Sequence, residues 1–254
     1  MQTGISLARK EKKMGALKAY IIHGWTYSTE KYNKLSQLLK LNGLGNVVLR
    51  VPGLTEKLED SWELKDYVDW IKKIVSREKG KTILIGHSNG GKIAAAFAAT
   101  YPQKLSHLIL IDSAGIYHDE FHVKIRLLFF QLLAKLGKNF SSSAVLKNLM
   151  YKMTGESDYN NATPLMKKTM TNLIKIDLSL SLNKIVTPTL IIWGENDKVT
   201  PLNDAKIIHR LIKNSKLHII KGAKHSPHFT HAEEVSDIIL KYLKAQSAKV
   251  KATA

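Results

Sequence analysis

The stretch from Ile83 to Gly91, ILIGHSNGG, constrains the fold of this chain more than any other segment. An apolar run from Thr82 to Ile85 ends at Gly86, and small residues that favour a helix resume from Lys92 to Ala99. This pattern predicts a buried strand, a sharp turn and a helix, with Ser88 at the apex of the turn.

The residues around Ser88 match the pattern G-x-S-x-G, with Gly86 and Gly90 as the two glycines. In a nucleophile elbow of this kind, small residues let the chain turn so tightly that the serine hydroxyl stands clear of the sheet. A helix that starts at Asn89 points its free N–H groups and its positive dipole end at whatever Ser88 attacks. The motif alone is weak evidence for a catalytic serine. It has to be supported by the strand before it, the helix after it and partner residues elsewhere in the chain.

Strands and helices alternate on both sides of this segment. Apolar runs predict further strands over residues 16–22, 47–51, 105–111, 187–193 and 216–220. Helical patterns are predicted over residues 30–41, 61–76, 201–212 and 232–243, and the tail from Ala245 is expected to fray. Strands that are apolar on both faces and alternate with helices indicate an α/β fold, with a mostly parallel sheet covered by helices on both faces.

The alternation stops over residues 116–184, which are predicted to be helical without a convincing strand. This stretch contains an apolar run that includes Phe129 and Phe130. At 254 residues and 44% hydrophobic content, the chain can bury the core of one α/β domain. We therefore predict one core domain, residues 1–115 and 185–254, interrupted by a helical insertion.

The strong positive charge of the chain could indicate an anionic partner such as nucleic acid. The formal net charge is +18 and the sequence pI is about 9.8. However, the lysines are spread along the whole chain, arginine occurs only five times, and no nucleic-acid-binding motif accompanies them. Scattered lysine is typical of a solvated surface, so no nucleic-acid partner is expected.

The absence of cysteine removes disulfides and thiolate metal sites, and it agrees with a reducing compartment. The first 15 residues are charged and lack the apolar stretch of a signal sequence. No segment reaches the length of a membrane span. A cytoplasmic location is the expectation, and the oligomeric state is left open.

Nucleophilic serine chemistry needs a base for the hydroxyl proton, an acid that orients the base, and donors for the oxyanion. Asp197 lies in the loop after one predicted strand, and His225 lies in the loop after the next. Ser88, Asp197 and His225 therefore all follow the C-terminal end of a strand, in the order Ser, Asp, His.

Other residues compete for these roles. Asp112 is the main rival acid because it also follows a strand. His228 and His231 share a loop with His225 and are the rival bases; we interpret His228 as a neighbour of the site and His231 as a surface residue at a helix N-terminus. His23 is expected to brace the loop after the first strand, and His87 is expected to pack beside the elbow.

Four segments in this order resemble the α/β-hydrolase fold family, and the resemblance covers nearly the whole chain. They are HGW at 23–25, GHSNGG at 86–91, WGENDKVTP at 193–201 and GAKHSPHFTHAEEV at 222–235. The resemblance implies that Ser88 is the nucleophile, that His225 is the general base and then the acid, and that Asp197 holds the imidazole in its useful tautomer.

The resemblance also implies an oxyanion hole formed by the backbone N–H groups of Asn89 and Trp25, with Gly24 as an alternative to Trp25. A serine at position 88 disfavours the haloalkane dehalogenase and epoxide hydrolase branches, which carry aspartate there. The insertion resembles the helical lid of many members and makes Phe129 and Phe130 candidates for the substrate pocket.

The N-terminus is shorter than the leading strand pair that is usual in this family. The sheet therefore begins either with one edge strand or with the strand over residues 16–22.

These features together predict a serine hydrolase that needs neither metal nor cofactor. It is expected to cleave small carboxylic esters, uncharged or anionic and with hydrophobic acyl groups, through an acyl-enzyme intermediate. A C–C bond hydrolase, a lactonase or an aminopeptidase-type amidase on the same triad remain alternatives. A basic binding protein with a hydrolase fold and no activity also remains open.

Overall fold

The computed structural model of the protein describes residues 17–117 and 163–252. Six strands in these residues form one sheet: β1 (Lys18–Ile22), β2 (Gly45–Val48), β3 (Thr82–His87), β4 (Leu105–Ile111), β5 (Thr189–Gly194) and β6 (Ser215–Ile220). All neighbouring strands pair in parallel, in the order β2-β1-β3-β4-β5-β6. The predicted parallel α/β sheet is confirmed.

The helices of the described residues connect and cover these strands. They are α1 (Asn33–Leu41), α2 (Leu64–Val75), α3 (Asn89–Thr100), α4 (Pro164–Ile174), α5 (Ser179–Leu182), α6 (Leu202–Leu211), α7 (Pro227–Thr230) and α8 (Ala232–Ala252). Short 3-10 turns precede α1 and β4. None of the helices in the described part of the chain combines the length and the apolar character that crossing a membrane requires.

Two buried apolar clusters cover the two faces of the sheet. Leu84 of β3 and Leu110 of β4 belong to the cluster that includes residues of α2, α3 and α6. Ile83 and Ile109, their neighbours along the strands, belong to the cluster that includes residues of α1 and α8. Successive strand residues point to opposite faces, so burial of both faces explains why these strands are continuously apolar.

The strand order places a crevice at the carboxyl edge of the sheet. From β1 the chain runs outward to β2 and then crosses back to β3 on the other side of β1. Connections that leave neighbouring strands in opposite directions open a crevice at this edge, and ligands bind there in open α/β sheets. The loop after β1, residues 23–26, is called the β1 loop below, and it lies beside Ser88 at the end of β3.

The strand predicted over residues 47–51 was wrong in its bounds. The ladder with β1 runs from the Lys18–Gly45 pair to the Ile21–Val48 pair and then ends. Leu49 and Val51 lie beyond the end of this ladder and are buried in the core, whereas Arg50 between them and Val47 within the strand are exposed. The apolar run therefore indicated neither the end of the strand nor the burial of every residue in it.

Two helix ends also differ from the sequence prediction. Helix α2 begins at Leu64 rather than at residue 61, and the Asp66 carboxylate accepts a hydrogen bond of 2.8 Å from the N–H of Glu63. This bond satisfies one donor at the start of the helix. Helix α8 continues to Ala252 where a frayed tail was expected, because its last turns are rich in alanine and lysine, which favour helix without burial.

Most of the insertion predicted over residues 116–184 lies outside the described residues, and so do Phe129 and Phe130. The described end of this stretch forms α4 and α5 and contains no strand, as the sequence indicated. The division into a core domain and an inserted lid stays a prediction.

Helix α4 packs on the β1 loop. Its buried residues Met166 and Met170 form a small apolar cluster with Trp25, Tyr27 and Leu54. Because the β1 loop lies beside Ser88, this cluster places apolar side chains of α4 at the same edge of the sheet as the serine.

Lys92 connects α3 to the end of α4. Its buried Nζ donates hydrogen bonds to the carbonyl oxygens of Leu173 at 2.8 Å and Ile176 at 2.9 Å. Carbonyl groups at the C-terminal end of a helix lack partners within the helix and carry its negative dipole end. Burial lowers the pKa of Lys92 from 10.5 to about 8.

We expect Lys92 to make the stability of the protein rise with pH. Between about pH 8 and pH 10.5 the unfolded chain binds more protons at this residue than the folded chain, so the free energy of unfolding increases with pH. Lys92→Met keeps the apolar stem and removes the titration. From about pH 7.5 to about pH 10, urea unfolding should show wild type gaining ~2 kcal/mol relative to Lys92→Met. If the difference in the free energy of unfolding between wild type and Lys92→Met stays constant with pH, Lys92 titrates in the folded protein as it does in water.

Candidate active site

Ser88 stands at the turn between β3 and α3 in a backbone conformation that L-residues rarely adopt, with φ 52° and ψ −121°. Its N–H donates to the carbonyl oxygen of Ile111 at 3.1 Å. Its own carbonyl oxygen accepts hydrogen bonds from Gly91, Lys92 and Ala114. Such a strained conformation persists only where the surrounding structure fixes it, and here four hydrogen bonds do so.

Two glycines make this turn possible by letting backbones approach closely. A Cβ atom at Gly90 would lie 2.2 Å from the carbonyl oxygen of Ile22, and one at Gly86 would lie 2.5 Å from the carbonyl oxygen of Gly90. A side chain at either position would therefore push α3 away from the sheet and open the turn. This is the strand–turn–helix arrangement that the sequence pattern predicted.

The structure brings Ser88, His225 and Asp197 together at the carboxyl edge of the sheet. Nε2 of His225 lies 3.0 Å from Oγ of Ser88, and Nδ1 of His225 lies 2.8 Å from Oδ2 of Asp197. Ser88 and Asp197 are buried, whereas the His225 side chain keeps 14% of its surface exposed. A serine hydroxyl, an imidazole and a carboxylate thus lie in hydrogen-bonded sequence, as nucleophilic serine chemistry requires.

The Asp197 carboxylate is held by several donors. Oδ1 accepts hydrogen bonds from the N–H groups of Val199 at 2.7 Å and Thr200 at 3.1 Å. Oδ2 accepts from the Thr200 hydroxyl at 2.7 Å as well as from His225. These bonds fix the orientation of the carboxylate toward the imidazole. Sequence reasoning did not single out Thr200, although a threonine three residues after the acid can fold back onto it.

Asp112, the rival acid, lies close to the site but makes different contacts. Its Oδ1 accepts the N–H of Gly194 at 2.8 Å, and its buried Oδ2 has no hydrogen-bond partner within the described residues. Burial, and then the charge of Asp197, raise the pKa of Asp112 well above its usual range. Burial thus favours the uncharged form of Asp112, and Asp197 is the carboxylate that is bonded to His225.

A metal ion has little to bind here without dismantling these contacts. In the part of the chain that the structure describes, only His87, Asp112 and His225 gather three potential ligand atoms, all within 4.8 Å of one another. Both ring nitrogens of His87 and of His225 already make hydrogen bonds. The donor set thus fits proton transfer better than metal ligation.

Among the described residues, neither rival base hydrogen-bonds the serine hydroxyl, whose partner is His225. His228 is buried and stacks on Tyr32 with ring centroids 4.3 Å apart, and neither of its nitrogens has a partner in the described residues. Burial, followed by the charges of His225 and Lys31, lowers the pKa of His228 to about 3. His231 lies just before α8 and bonds the neighbouring Thr230 hydroxyl, as expected of a residue at a helix start.

The backbone N–H groups around Ser88 distinguish the candidate oxyanion donors. Asn89 is the first residue of α3, where an N–H has no acceptor within the helix. Gly24 lies against the serine, because a Cβ there would be 2.9 Å from Cβ of Ser88. However, the Gly24 N–H donates to the Tyr32 hydroxyl at 3.1 Å, which favours Trp25 over Gly24 as the second donor.

His23 holds the β1 loop as the sequence predicted. Its Nδ1 lies 2.8 Å from the carbonyl oxygen of Gly24, which can only accept, so Nδ1 carries the proton. Nε2 lies 2.8 Å from the Thr55 hydroxyl and accepts its proton. Burial lowers the pKa of His23, in keeping with a neutral ring.

A family model described as the alpha/beta hydrolase fold matches residues 20–232 of this chain. The chain therefore belongs to the α/β hydrolase fold family, as the four sequence segments indicated.

Individual relatives agree with this assignment. The chain is 25% identical over 257 residues to a pimeloyl-(acyl-carrier protein) methyl ester esterase of Wigglesworthia glossinidia brevipalpis, which covers 91% of this chain and 95% of that protein. It is 22% identical over 260 residues to a biotin biosynthesis bifunctional protein of Teredinibacter turnerae, covering 90% of this chain but only 45% of that protein. The solved structure of a thermophilic esterase from Thermogutta terrifontis superposes with a TM-score of 0.70 at 21% identity, covering 90% of each chain.

Replacing each acid by its amide should identify the one that orients the base. Asp197→Asn keeps the shape of the side chain but removes the charge that faces the imidazolium, so kcat for an activated ester should fall by roughly 10⁴-fold. Asp112→Asn should cause a much smaller loss, because Asp112 is not bonded to His225 and burial favours its uncharged form. A large loss in Asp112→Asn together with a small one in Asp197→Asn would assign the acid to the end of β4.

Proposed function

We propose that this protein is a serine hydrolase that cleaves small carboxylic esters through an acyl-enzyme intermediate. The observation that carries this proposal is the hydrogen-bonded series from Ser88 Oγ through the His225 ring to Asp197 Oδ2, with distances of 3.0 Å and 2.8 Å. Its position at the crevice of a parallel sheet, where such folds bind ligands, supports the same conclusion.

In this proposal Ser88 attacks the ester carbonyl carbon while Nε2 of His225 accepts the hydroxyl proton. A tetrahedral intermediate forms, and its negative oxygen is bound by the N–H groups of Asn89 and Trp25. Asp197 holds the imidazole in the tautomer with hydrogen on Nδ1 and stabilises the imidazolium that results. The turn at Ser88 points the helix α3 dipole at this charge, which adds to its stabilisation.

The intermediate collapses when the C–O bond of the alcohol breaks and His225 returns the proton to the leaving oxygen. Water then attacks the acyl-Ser88 ester while His225 accepts a proton from it. The bond between the acyl carbon and Ser88 Oγ breaks, and His225 returns the proton to Oγ, which releases the carboxylic acid and regenerates the serine. Every proton in this cycle passes through Nε2, the nitrogen that faces Ser88.

The acyl group is proposed to lie against the apolar cluster between α4 and the β1 loop. Met166 and Met170 pack there with Trp25, Tyr27 and Leu54, next to the proposed oxyanion donor. Methionine side chains adapt to the shape of an apolar ligand, which suits a flexible acyl chain. Phe129 and Phe130, which lie outside the described residues, remain proposed residues of the substrate pocket.

The relatives support an ester with a small alcohol. The protein from Wigglesworthia glossinidia brevipalpis is named as a methyl ester esterase, and it matches this chain over nearly its full length. The proposed substrate is therefore an ester with an apolar acyl group, which the pocket binds, and a small alcohol. Assays of lactone, amide and C–C bond hydrolysis with the same enzyme preparation distinguish the competing reactions.

A fluorophosphonate probe should label wild-type protein at Ser88, because an assembled series of serine, histidine and aspartate makes that hydroxyl nucleophilic. Ser88→Ala should not be labelled, and His225→Ala should be labelled very slowly, with kcat lowered by roughly 10⁴- to 10⁶-fold. His228→Phe keeps a ring stacked on Tyr32 and should be labelled readily. Unlabelled but folded wild-type protein would point to a binding protein, and loss of labelling in His228→Phe alone would mean that the base is misassigned.

Acyl chain length should affect kcat/KM if the α4 cluster binds the acyl group. Each buried methylene contributes about 0.8 kcal/mol, so kcat/KM should rise about fourfold per added carbon until the pocket is full. Met166→Ala should move the optimum to longer chains, whereas Leu180→Ala, an exposed leucine of α5, should leave it unchanged. A flat profile in all three proteins would place the acyl group elsewhere.

A further inference from the structure

Two buried residues, Tyr32 and His87, connect the two loops that flank the serine. Nε2 of His87 lies 2.7 Å from the carbonyl oxygen of His225, and Nδ1 of His87 lies 2.7 Å from the Tyr32 hydroxyl. The same hydroxyl lies 3.1 Å from the N–H of Gly24 in the β1 loop. Three hydrogen bonds thus run from the backbone of the base to the loop that carries the proposed oxyanion donor Trp25.

These three hydrogen bonds are called the series below. The donor and the acceptor in each of them can be assigned from the chemistry of the groups involved. The His225 carbonyl can only accept, so Nε2 of His87 carries a proton. Burial, and then the nearby His228 and His225, lower the pKa of His87 well below its usual range, so the ring is neutral and Nδ1 carries no proton. The Tyr32 hydroxyl therefore donates to Nδ1, and its oxygen accepts the Gly24 N–H.

Two other titratable side chains lie close to these hydrogen bonds. His228 stacks on Tyr32 and lies 4.1 Å from His87 by ring centroids, yet its nitrogens make no hydrogen bond among the described residues. Asp112 lies near His87, but its Oδ1 accepts the N–H of Gly194. Neither side chain is therefore a hydrogen-bond partner in the series.

We propose that Tyr32 and His87 are positioning residues that fix the His225 backbone and the β1 loop relative to each other and to Ser88. This inference rests on the proposed function, because it assigns the role of these residues in the same site. His87 precedes Ser88 directly, so the series is anchored at the nucleophile itself. Small shifts in the distance between base and nucleophile, or in the direction of an oxyanion donor, reduce kcat strongly even when substrate binding is kept.

Tyr32→Phe tests the role of the hydroxyl while keeping the stacked ring. We expect kcat for an activated ester to fall roughly 10- to 100-fold, with KM changed by less than about twofold. Tyr20→Phe is the matched control. The Tyr20 hydroxyl bonds Glu78 in the loop before β3, at the amino edge of the sheet, whereas Ser88 lies at the carboxyl edge. The control should keep the wild-type kcat. A wild-type kcat in folded Tyr32→Phe would overturn the proposal.

Two substitutions of His87 separate the halves of the series. A glutamine amide can donate to the His225 carbonyl in place of Nε2, whereas an asparagine can accept from Tyr32 but is too short to reach His225. We therefore expect His87→Gln to retain more kcat than His87→Asn. Because both residues act through one series, Tyr32→Phe combined with His87→Asn should be hardly slower than His87→Asn alone. If the fold-losses in kcat of the two single variants instead multiply in the double variant, the two substitutions act independently and the proposal is overturned.

A spectroscopic measurement keeps this inference separate from the proposed function. In protein with ¹⁵N-labelled histidine, the His87 ring should be neutral, with its proton on Nε2, and its Nδ1 resonance should shift in Tyr32→Phe but not in Tyr20→Phe. A proton on Nδ1 of His87, or no shift in Tyr32→Phe, would contradict the series whether or not the protein is active. Failure of fluorophosphonate labelling in wild type, with these signals present, would instead contradict the hydrolase proposal alone.

Discussion

The close approach of helix α3 to strand β1 is the constraint on which the site depends. At Gly90 the helix backbone comes so near to the Ile22 carbonyl that a single Cβ would lie 2.2 Å from it. This contact allows the chain to reverse at Ser88 within one residue, at a positive φ of 52°. The serine hydroxyl is thereby fixed at the carboxyl edge of the sheet, between loops that leave neighbouring strands in opposite directions.

Burial shifts the pKa values of two groups near the serine. Burial, and then the charge of Asp197, raise the pKa of Asp112, although both carboxyl groups follow strands and lie close to the site. Burial and the neighbouring histidines lower the pKa of His87, which favours its neutral ring. Because the Nε2 proton of a neutral His87 faces the His225 carbonyl, its Nδ1 is left to accept the Tyr32 hydroxyl proton, so the proposed positioning role depends on the burial of this ring.

Helix α3 also links the serine to the proposed acyl pocket. Ser88 precedes its first residue, and Lys92, one turn further on, donates to the carbonyl groups of Leu173 in α4 and of Ile176 just after it. Helix α4 in turn packs Met166 and Met170 against the β1 loop. Ser88 and the proposed pocket wall are therefore connected through one buried helix and the hydrogen bonds of Lys92.

The sequence by itself determined the parallel α/β sheet, the elbow at Ser88 and the loops that carry Asp197 and His225, because apolar runs and glycine spacing are local properties of the chain. It did not determine the bounds of β2, since burial of Leu49 in the core and pairing with β1 produce the same apolar pattern. Only the tertiary structure distinguished the bonding of Asp197 from that of Asp112 and brought Tyr32 against His87 across 55 residues of chain. Hydrogen bonds between distant segments depend on how helices and strands pack, and no local pattern of residues records that packing.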